Sequence, residues 1–450
     1  MGVYVNPPAD GFAEILNYKK YIDKSGIIAY TNSVLGTPDK LTCFSKPRRF
    51  GKSFTAKMIT AYYSKGANAA ALFAGLKIAK MNLEQNQNKN ADFEENLNKY
   101  DVISLDMTPF VALAESTNEI VSDLQQDVIE ELENEFPNCI RKGTKTLYKA
   151  LLQINLKTGR KFFIVIDEWD MIFREAKDNI SVQKEYINLL RSLFKSNQTS
   201  QIIIGAYMTG ILPIKKYGTQ SALTDFREYS MLKPGVLAEF VGFTEKEVYQ
   251  LCQEYHLDFD ETQKWYDGYR FDTIGHVYCP NSIIELISMQ AFDSYWTTTE
   301  TYESLRDYID LNMDGLKDAI INMLGGKKHR IDTGTFQNDM TSLSSKDDIL
   351  TLLVHLGYLA YNFDNKEVFI PNEEVRGEFI RAVKEGRHQE LALLVELKWN
   401  KSAGKAISQI KEKQYGMIMQ KYDYTGELLL VGLNYSTKTG KHTCKIERYI

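Results

Sequence analysis

The sequence predicts an α/β fold: a parallel sheet wrapped by helices, a helical middle domain, and a small α/β module at the C-terminus. Three observations carry this reading. Residues 162–166 and 202–206 are continuous apolar runs, typical of strands buried on both faces. Strand-like and helix-like segments alternate across residues 35–235, the order of a parallel sheet with crossover helices. The apolar stretch 41–44 leads through a tight loop into Gly51-Lys52-Ser53 at a helix start, the layout of a phosphate-binding loop.

Each element follows from its own pattern. A strand is predicted at 41–44 and a helix from 52 to about 64, with Met58, Ile59 and Tyr62 facing inward. The Asn-rich stretch 82–98 reads as a surface insertion, and 102–106 as a strand. Over 117–136, Ile120, Leu124, Val128 and Leu132 recur at the spacing of one helix face. From about 244 to 347 helical segments dominate. Residues 346–370 read as a helix and a hairpin (358–361 and 368–370). The tail reads as a strand at 391–398, a helix at about 403–421 and a strand at 428–433. The expected domains are 1–243, 244–345 (helical, with a winged-helix arrangement as one form) and 346–450.

Composition narrows the function classes. A 450-residue chain should hold two or three domains. Its 44% hydrophobic and 25% charged residues are ordinary for a globular protein. A net charge of −5 argues against wholesale coating of nucleic acid. The five cysteines form no CxxC pair and the six histidines no HxxxH spacing, which argues against zinc sites and a disulfide framework. No signal peptide and no apolar run of about 18 residues is visible, so a cytoplasmic protein without membrane contact is expected.

The chemistry concentrates at strand ends. In a phosphate loop, backbone N–H groups and a helix N-terminus point at phosphates, the lysine adds a point charge, and the next hydroxyl ligates Mg²⁺. Gly51, Lys52 and Ser53 supply those parts, with Phe50 and Phe54 flanking them. The formal motif has glycine where this chain has Lys46. A lysine there resists positive φ, and Pro47 pushes it toward extended geometry, so the loop should take a variant path. Arg48 and Arg49 either contact phosphate, which guanidinium pairs with well, or face solvent or a carboxylate. The run 162–166 ends in Asp167-Glu168, placing Asp167 to hold Mg²⁺ and Glu168 to polarise an attacking water. Thr209, after the run 202–206, is either a polar sensor of the terminal phosphate or a turn residue. Arg227 is either a trigger arginine or one half of a surface ion pair. The cluster Trp265-Tyr266-Asp267-Gly268-Tyr269 reads more readily as a packed corner than as a base-stacking platform.

These segments together resemble the AAA-ATPase-like proteins of bacteria and some archaea. The resemblance rests on Lys46-Pro47-Arg48-Arg49-Phe50-Gly51-Lys52-Ser53, on Asp167-Glu168-Trp169-Asp170 and on Met208-Thr209-Gly210-Ile211-Leu212-Pro213. It extends to Gly242-Phe243-Thr244-Glu245 and to the 265–269 cluster, covering about residues 5–435. It implies a P-loop NTPase fold of the AAA-like (ASCE) type, ATP and Mg²⁺ as ligands, and the lysine-proline loop variant as a family trait. It also implies a C-terminal part similar to the PD-(D/E)xK nuclease fold.

That C-terminal part is incomplete. Glu396 and Lys398 share one face of an apolar strand, as a metal-dependent nuclease requires, and Gln409 and Tyr415 match the family's following helix. The acid on a preceding hairpin strand is missing, because 377–391 is too short to carry one. Glu378 corresponds at most to an acid on the leading helix. Lysines 398, 401, 405, 411 and 413 form either a phosphate-tracking patch or a solvated helix face. The resulting expectation is an ATP-binding, ATP-hydrolysing switch with a vestigial nuclease-like module. An ATP-regulated nuclease and a non-enzymatic scaffold are the alternatives. The expected partners are a nucleotide, with nucleic acid, another protein or a second copy of the chain open.

Overall fold

The computed structural model describes residues 2–84, 93–214, 216–217, 220–221, 223–271, 274–296, 309, 312–337, 343–385, 391–413 and 427–449. The chain divides into two compact units, residues 1–380 and 381–450.

The first unit is built on a five-stranded parallel sheet. Its strands are β1 (Leu41–Ser45), β2 (Asp101–Asp106), β3 (Phe162–Asp167), β4 (Ile203–Gly210) and β5 (Arg227–Tyr229). Their order is β2-β3-β4-β1-β5, that of an AAA-like (ASCE) P-loop fold. One strand, β4, therefore separates the phosphate-loop strand from the Asp-Glu strand, so the ends of all three meet at one edge.

Alternation along the strands gives the sheet two buried faces. Cys43, Ile164, Ile166 and Met208 share a core with Leu124, Val128 and Leu132 of α2 (Ile120–Glu135), and with Leu190 of the helix Ile180–Phe194. On the other face α1 (Lys52–Tyr63) packs against β2, β3 and β4, and Tyr63 stacks on Phe163 with ring centroids 4.3 Å apart.

The middle of the chain is less purely helical than its sequence suggests. Strands Phe243–Thr244, Tyr269–Phe271 and Gly275–Tyr278 form an antiparallel sheet. Strands of two to four residues are too short to show a period, which is why they escape a sequence reading. Helix Glu245–Tyr255 starts at a capping box in which Thr244 and Glu247 satisfy each other's backbone N–H. The 265–269 cluster is a packed corner, with Tyr266 and Tyr269 buried and the Tyr269 hydroxyl donating to the Gly357 carbonyl. Helix Lys346–Leu356 and the hairpin Ala360–Asn362/Glu367–Phe369 belong to this first unit, and that helix is buried along almost its whole length.

The second unit is a three-stranded sheet of Leu391–Trp399, Glu427–Ser436 and Lys441–Arg448 in that order, the first pair parallel and the second antiparallel. Helix Ala403–Glu412 covers one face through Ile407 and Ile410 against Leu428 and Leu430. The last strand has no counterpart in the sequence reading, because its residues are nearly all exposed and carry no apolar alternation. The helix predicted to 421 is described to Glu412, and Tyr415 lies outside the described residues. The Asn-rich stretch is described only in part, as the ends of helices Lys77–Glu84 and Phe93–Asn96. No helix among the described residues is long and apolar enough to cross a membrane.

Candidate nucleotide site

The site begins where β1 ends. The Ser45 hydroxyl donates to the Leu212 carbonyl at 3.0 Å, and the Lys46 N–H donates to the Gly210 carbonyl at 3.0 Å. These bonds strap the loop to the end of β4. The left-handed residues of the loop are Arg49 (φ 66°) and Gly51 (φ 88°), not Lys46. Gly51 is the residue just before α1, and only glycine adopts that backbone freely.

Lys46 takes a direction of its own. Its side chain is fully buried in the core, with Nζ 4.1 Å from the Phe271 ring centroid and 3.9 Å from Met231 Sδ. Burial pushes its amine down to about 7. It does not line the cavity described below.

Lys52, six residues on, points the other way. Its Nζ donates to the Pro47 carbonyl at 2.9 Å and lies 3.6 Å from Glu168 Oε1. Glu168 sits just past β3 at φ 52°, a turn that swings its carboxylate away from the strand line. Its other oxygen, Oε2, accepts from Arg174 at 2.5 Å. Burial alone would raise the Glu168 carboxyl, but the charges of Lys52, Arg174 and Arg48 hold it below its usual range.

Asp167, the last residue of β3, accepts hydrogen bonds from the Ser53 and Thr209 hydroxyls. Burial pushes its carboxyl up, and these two hydroxyls pull it partly back. Thr209 lies inside β4 and not in a turn after it. The group is a carboxylate flanked by two hydroxyls, all oxygen donors. That set suits Mg²⁺, which keeps several waters and shares phosphate oxygens instead of filling an all-protein cage. No cluster of three or more His, Cys, Asp or Glu side chains forms a metal cage among the described residues.

The sequence assigns no role to Asp170, which only closes the Asp167–Asp170 motif, and does not single out Arg174. Asp170 is buried, and its Oδ2 accepts from the backbone N–H of Ile211 (3.1 Å) and Leu212 (2.8 Å). The same oxygen is 3.2 Å from Arg174 Nε. Burial raises its carboxyl, opposed chiefly by the Arg174 charge. A Cβ on Gly210 would come within 2.6 Å of both Asp170 Oδ1 and the Trp169 ring, so the close approach requires glycine there. The four-residue spacing of Asp170 and Arg174 was the available signal, since it suits an ion pair on one helical turn.

Lys52, Ser53 and Glu168 open onto a cavity of about 770 Å³ within the first unit. Arg48, Arg49, Phe50, Gly51 and Phe54 line the same cavity, as does Arg174. Its remaining wall is partly aromatic and aliphatic, with Tyr21, Met58, Phe240 and Ile284. Arg49 also donates to the Tyr295 carbonyl at 3.0 Å. Arg227 is elsewhere: on β5, its Nε is 2.7 Å from Asp39 Oδ1 in an exposed ion pair, the second of its two readings.

In the second unit, Glu396, Lys398 and Gln409 do come together. Lys398 Nζ donates to Glu396 Oε1 at 2.8 Å and also to the Gln409 side-chain oxygen. Gln409 Nε2 donates to the same Glu396 oxygen at 2.8 Å. Glu378 belongs to the first unit, where it is buried and accepts from the Ser294 hydroxyl.

Residues 10–219 match the family model of the predicted AAA-ATPases, AAA-ATPase_like. The matched segment contains the phosphate loop, the Asp167-Glu168 strand end and Thr209. Among solved structures, the chain is similar to the Aeropyrum pernix ORC2 protein in ADPNP and ADP complexes. That match has 13% identity and a TM-score of 0.35, over 82% of this chain and 97% of the other. It is also similar to the replication initiator DnaA bound to AMPPCP and single-stranded DNA. There the identity is 9% and the TM-score 0.28, over 91% of this chain and 97% of the other. No curated protein is significantly similar to the chain.

Proposed function

We propose that the first unit binds Mg²⁺–ATP at the Lys52 cavity and hydrolyses it, and that the chain acts as a nucleotide-dependent switch. One observation carries this reading. Lys52, Ser53, Asp167, Glu168 and Thr209 come from three different strand ends yet converge at one edge of the sheet. A structural explanation of any one of them does not explain their meeting. The α1 N-terminus and the Lys52 ammonium would take the phosphates. Arg48 and Arg49, on the same wall, would add side-chain contacts. Ser53 and Asp167 would hold Mg²⁺, which when bound neutralises charge on the phosphate oxygens.

The chemistry asked of this chain's own residues is small. A water oxygen bonds to the terminal phosphorus while the bond to the bridging oxygen of ADP breaks. Glu168 accepts the proton that water loses, and Thr209, once its hydroxyl turns from Asp167, donates toward the terminal phosphate.

The second unit fits a vestigial nuclease-like module. The one carboxylate of its first strand, Glu396, is already met by Lys398 and Gln409. The test is turnover of ATP by the full chain with Mg²⁺. It should be lost in Lys52→Ala together with binding, and lost in Glu168→Gln with binding retained. Nucleotide binding that Lys52→Ala leaves unchanged would refute the reading.

A further inference from the structure

The two oxygens of Glu168 are held by cations of different standing. Oε1 is near Lys52, whose ammonium a phosphate oxygen would compete for. Oε2 is held by Arg174, and Arg174 is itself held by Asp170. Asp170 in turn is fixed by two backbone N–H groups just past β4. The chain of contacts from Glu168 through Arg174 and Asp170 to Ile211 and Leu212 is almost wholly sheltered from water, with Arg174 and Asp170 side chains 6% and 1% exposed. Such a chain keeps its geometry when a ligand enters, whereas a single ammonium on a four-carbon stem can change partner.

We infer that Arg174 is a positioning residue for the nucleotide reaction: it anchors Oε2 of Glu168 so that, when Lys52 turns to the phosphates, Oε1 is left facing the cavity to take a proton from water. The inference rests on the Mg²⁺–ATP reading above and adds what that reading lacks, a reason for the Glu168 carboxylate to stay in place once its lysine partner leaves. It also gives Asp170 a part, as the residue that keeps Arg174 from following Lys52 toward phosphate. Because Ile211 and Leu212 lie two and three residues past Thr209, the same contacts tie the base to the strand whose Thr209 hydroxyl meets Asp167.

The experiment measures kcat and KM for Mg²⁺–ATP, and affinity for a non-hydrolysable ATP analogue, on the full chain and on Arg174→Ala, Arg174→Lys and Asp170→Asn. Loss of positioning predicts a kcat about 10–100-fold lower in Arg174→Ala, with KM and analogue affinity within about 3-fold. Arg174→Lys, which can keep one contact but not both, should fall between. Millimolar guanidinium should restore part of the turnover of Arg174→Ala and none of that of Asp170→Asn. An unchanged kcat in Arg174→Ala, or a loss confined to KM, would overturn the inference. So would a loss in Arg174→Ala that guanidinium does not relieve although that variant still binds the analogue. If Arg174→Ala fails to fold, Arg174→Lys and Asp170→Asn read the same split. A wild-type chain that neither binds nor turns over Mg²⁺–ATP would instead defeat the underlying reading, so the two failures are distinct.

Discussion

Each of the two candidate sites holds a lysine beside a glutamate, and they differ in what surrounds the pair. At the Lys52 site the lysine is 3.6 Å from Glu168 Oε1, further cations and oxygen donors converge from neighbouring strand ends, and the group opens onto a cavity. At the Lys398 site the lysine is 2.8 Å from Glu396, and Gln409 closes the remaining contact. The first arrangement leaves its pair longer than a hydrogen bond and facing a cavity; the second closes on itself. A Lys–Glu pair is therefore informative about chemistry only through the groups that keep it from being self-sufficient.

The sharpest way to break this comparison is Lys52→Ala. Removing the ammonium at the start of α1 should weaken Mg²⁺–ATP binding by at least about 100-fold, read by calorimetric titration. Glu168→Gln comes next: ATP still binds, and turnover falls by about 10²–10⁴-fold in a steady-state phosphate-release assay. Gly210→Ala tests the crowding behind the site. Its Cβ would meet the Asp170 carboxylate and the Trp169 ring, and a cost of about 1–3 kcal/mol is expected in denaturant melts.

Lys46 sharpens the comparison by supplying a buried lysine with no carboxylate partner among the described residues. Burial lowers its amine from 10.5 to about 7, so between those values the unfolded chain binds the extra proton and stability rises with pH. Lys46→Met should therefore raise the melting temperature most below about pH 7, with the gain shrinking toward pH 10. ATP affinity should change by less than about 3-fold, since Lys46 faces away from the cavity. The smallest effect is expected at the second cluster. Glu396→Ala and Lys398→Ala should leave ATP turnover within about 2-fold. The unmodified chain should cleave neither DNA nor RNA with Mg²⁺ or Mn²⁺; cleavage that depends on Glu396 would erase the contrast.

Much of this was legible in residue pattern. The buried strands announced themselves because both faces of β3 and β4 are apolar, and Gly51-Lys52-Ser53 and Asp167-Glu168 stand at strand ends where side chains can meet. Glu396 and Lys398 likewise come together as strand alternation suggests, and Gln409, named through the family resemblance, joins them. What was not legible has physical reasons. Asp170, which holds Arg174, is itself fixed by partners distant in sequence, because only folding brings the N–H groups of Ile211 and Leu212 to it. The direction of Lys46 depends on Phe271 and Met231, more than 180 residues away. The second unit inverts the usual rule. Leu393, Val395, Leu397 and Trp399 are exposed on the same strand whose Glu396 and Lys398 are largely sheltered, so hydropathy alone misassigns its covered face.

The most direct measurement is a structure of the full chain with Mg²⁺ and a non-hydrolysable ATP analogue. The account predicts Lys52 moved from the Pro47 carbonyl to the phosphates, Ser53 and Asp167 at the metal, and Glu168 still held by Arg174. An analogue bound elsewhere, or one seated in the cavity with Lys52 still on Pro47 and Glu168, would contradict it.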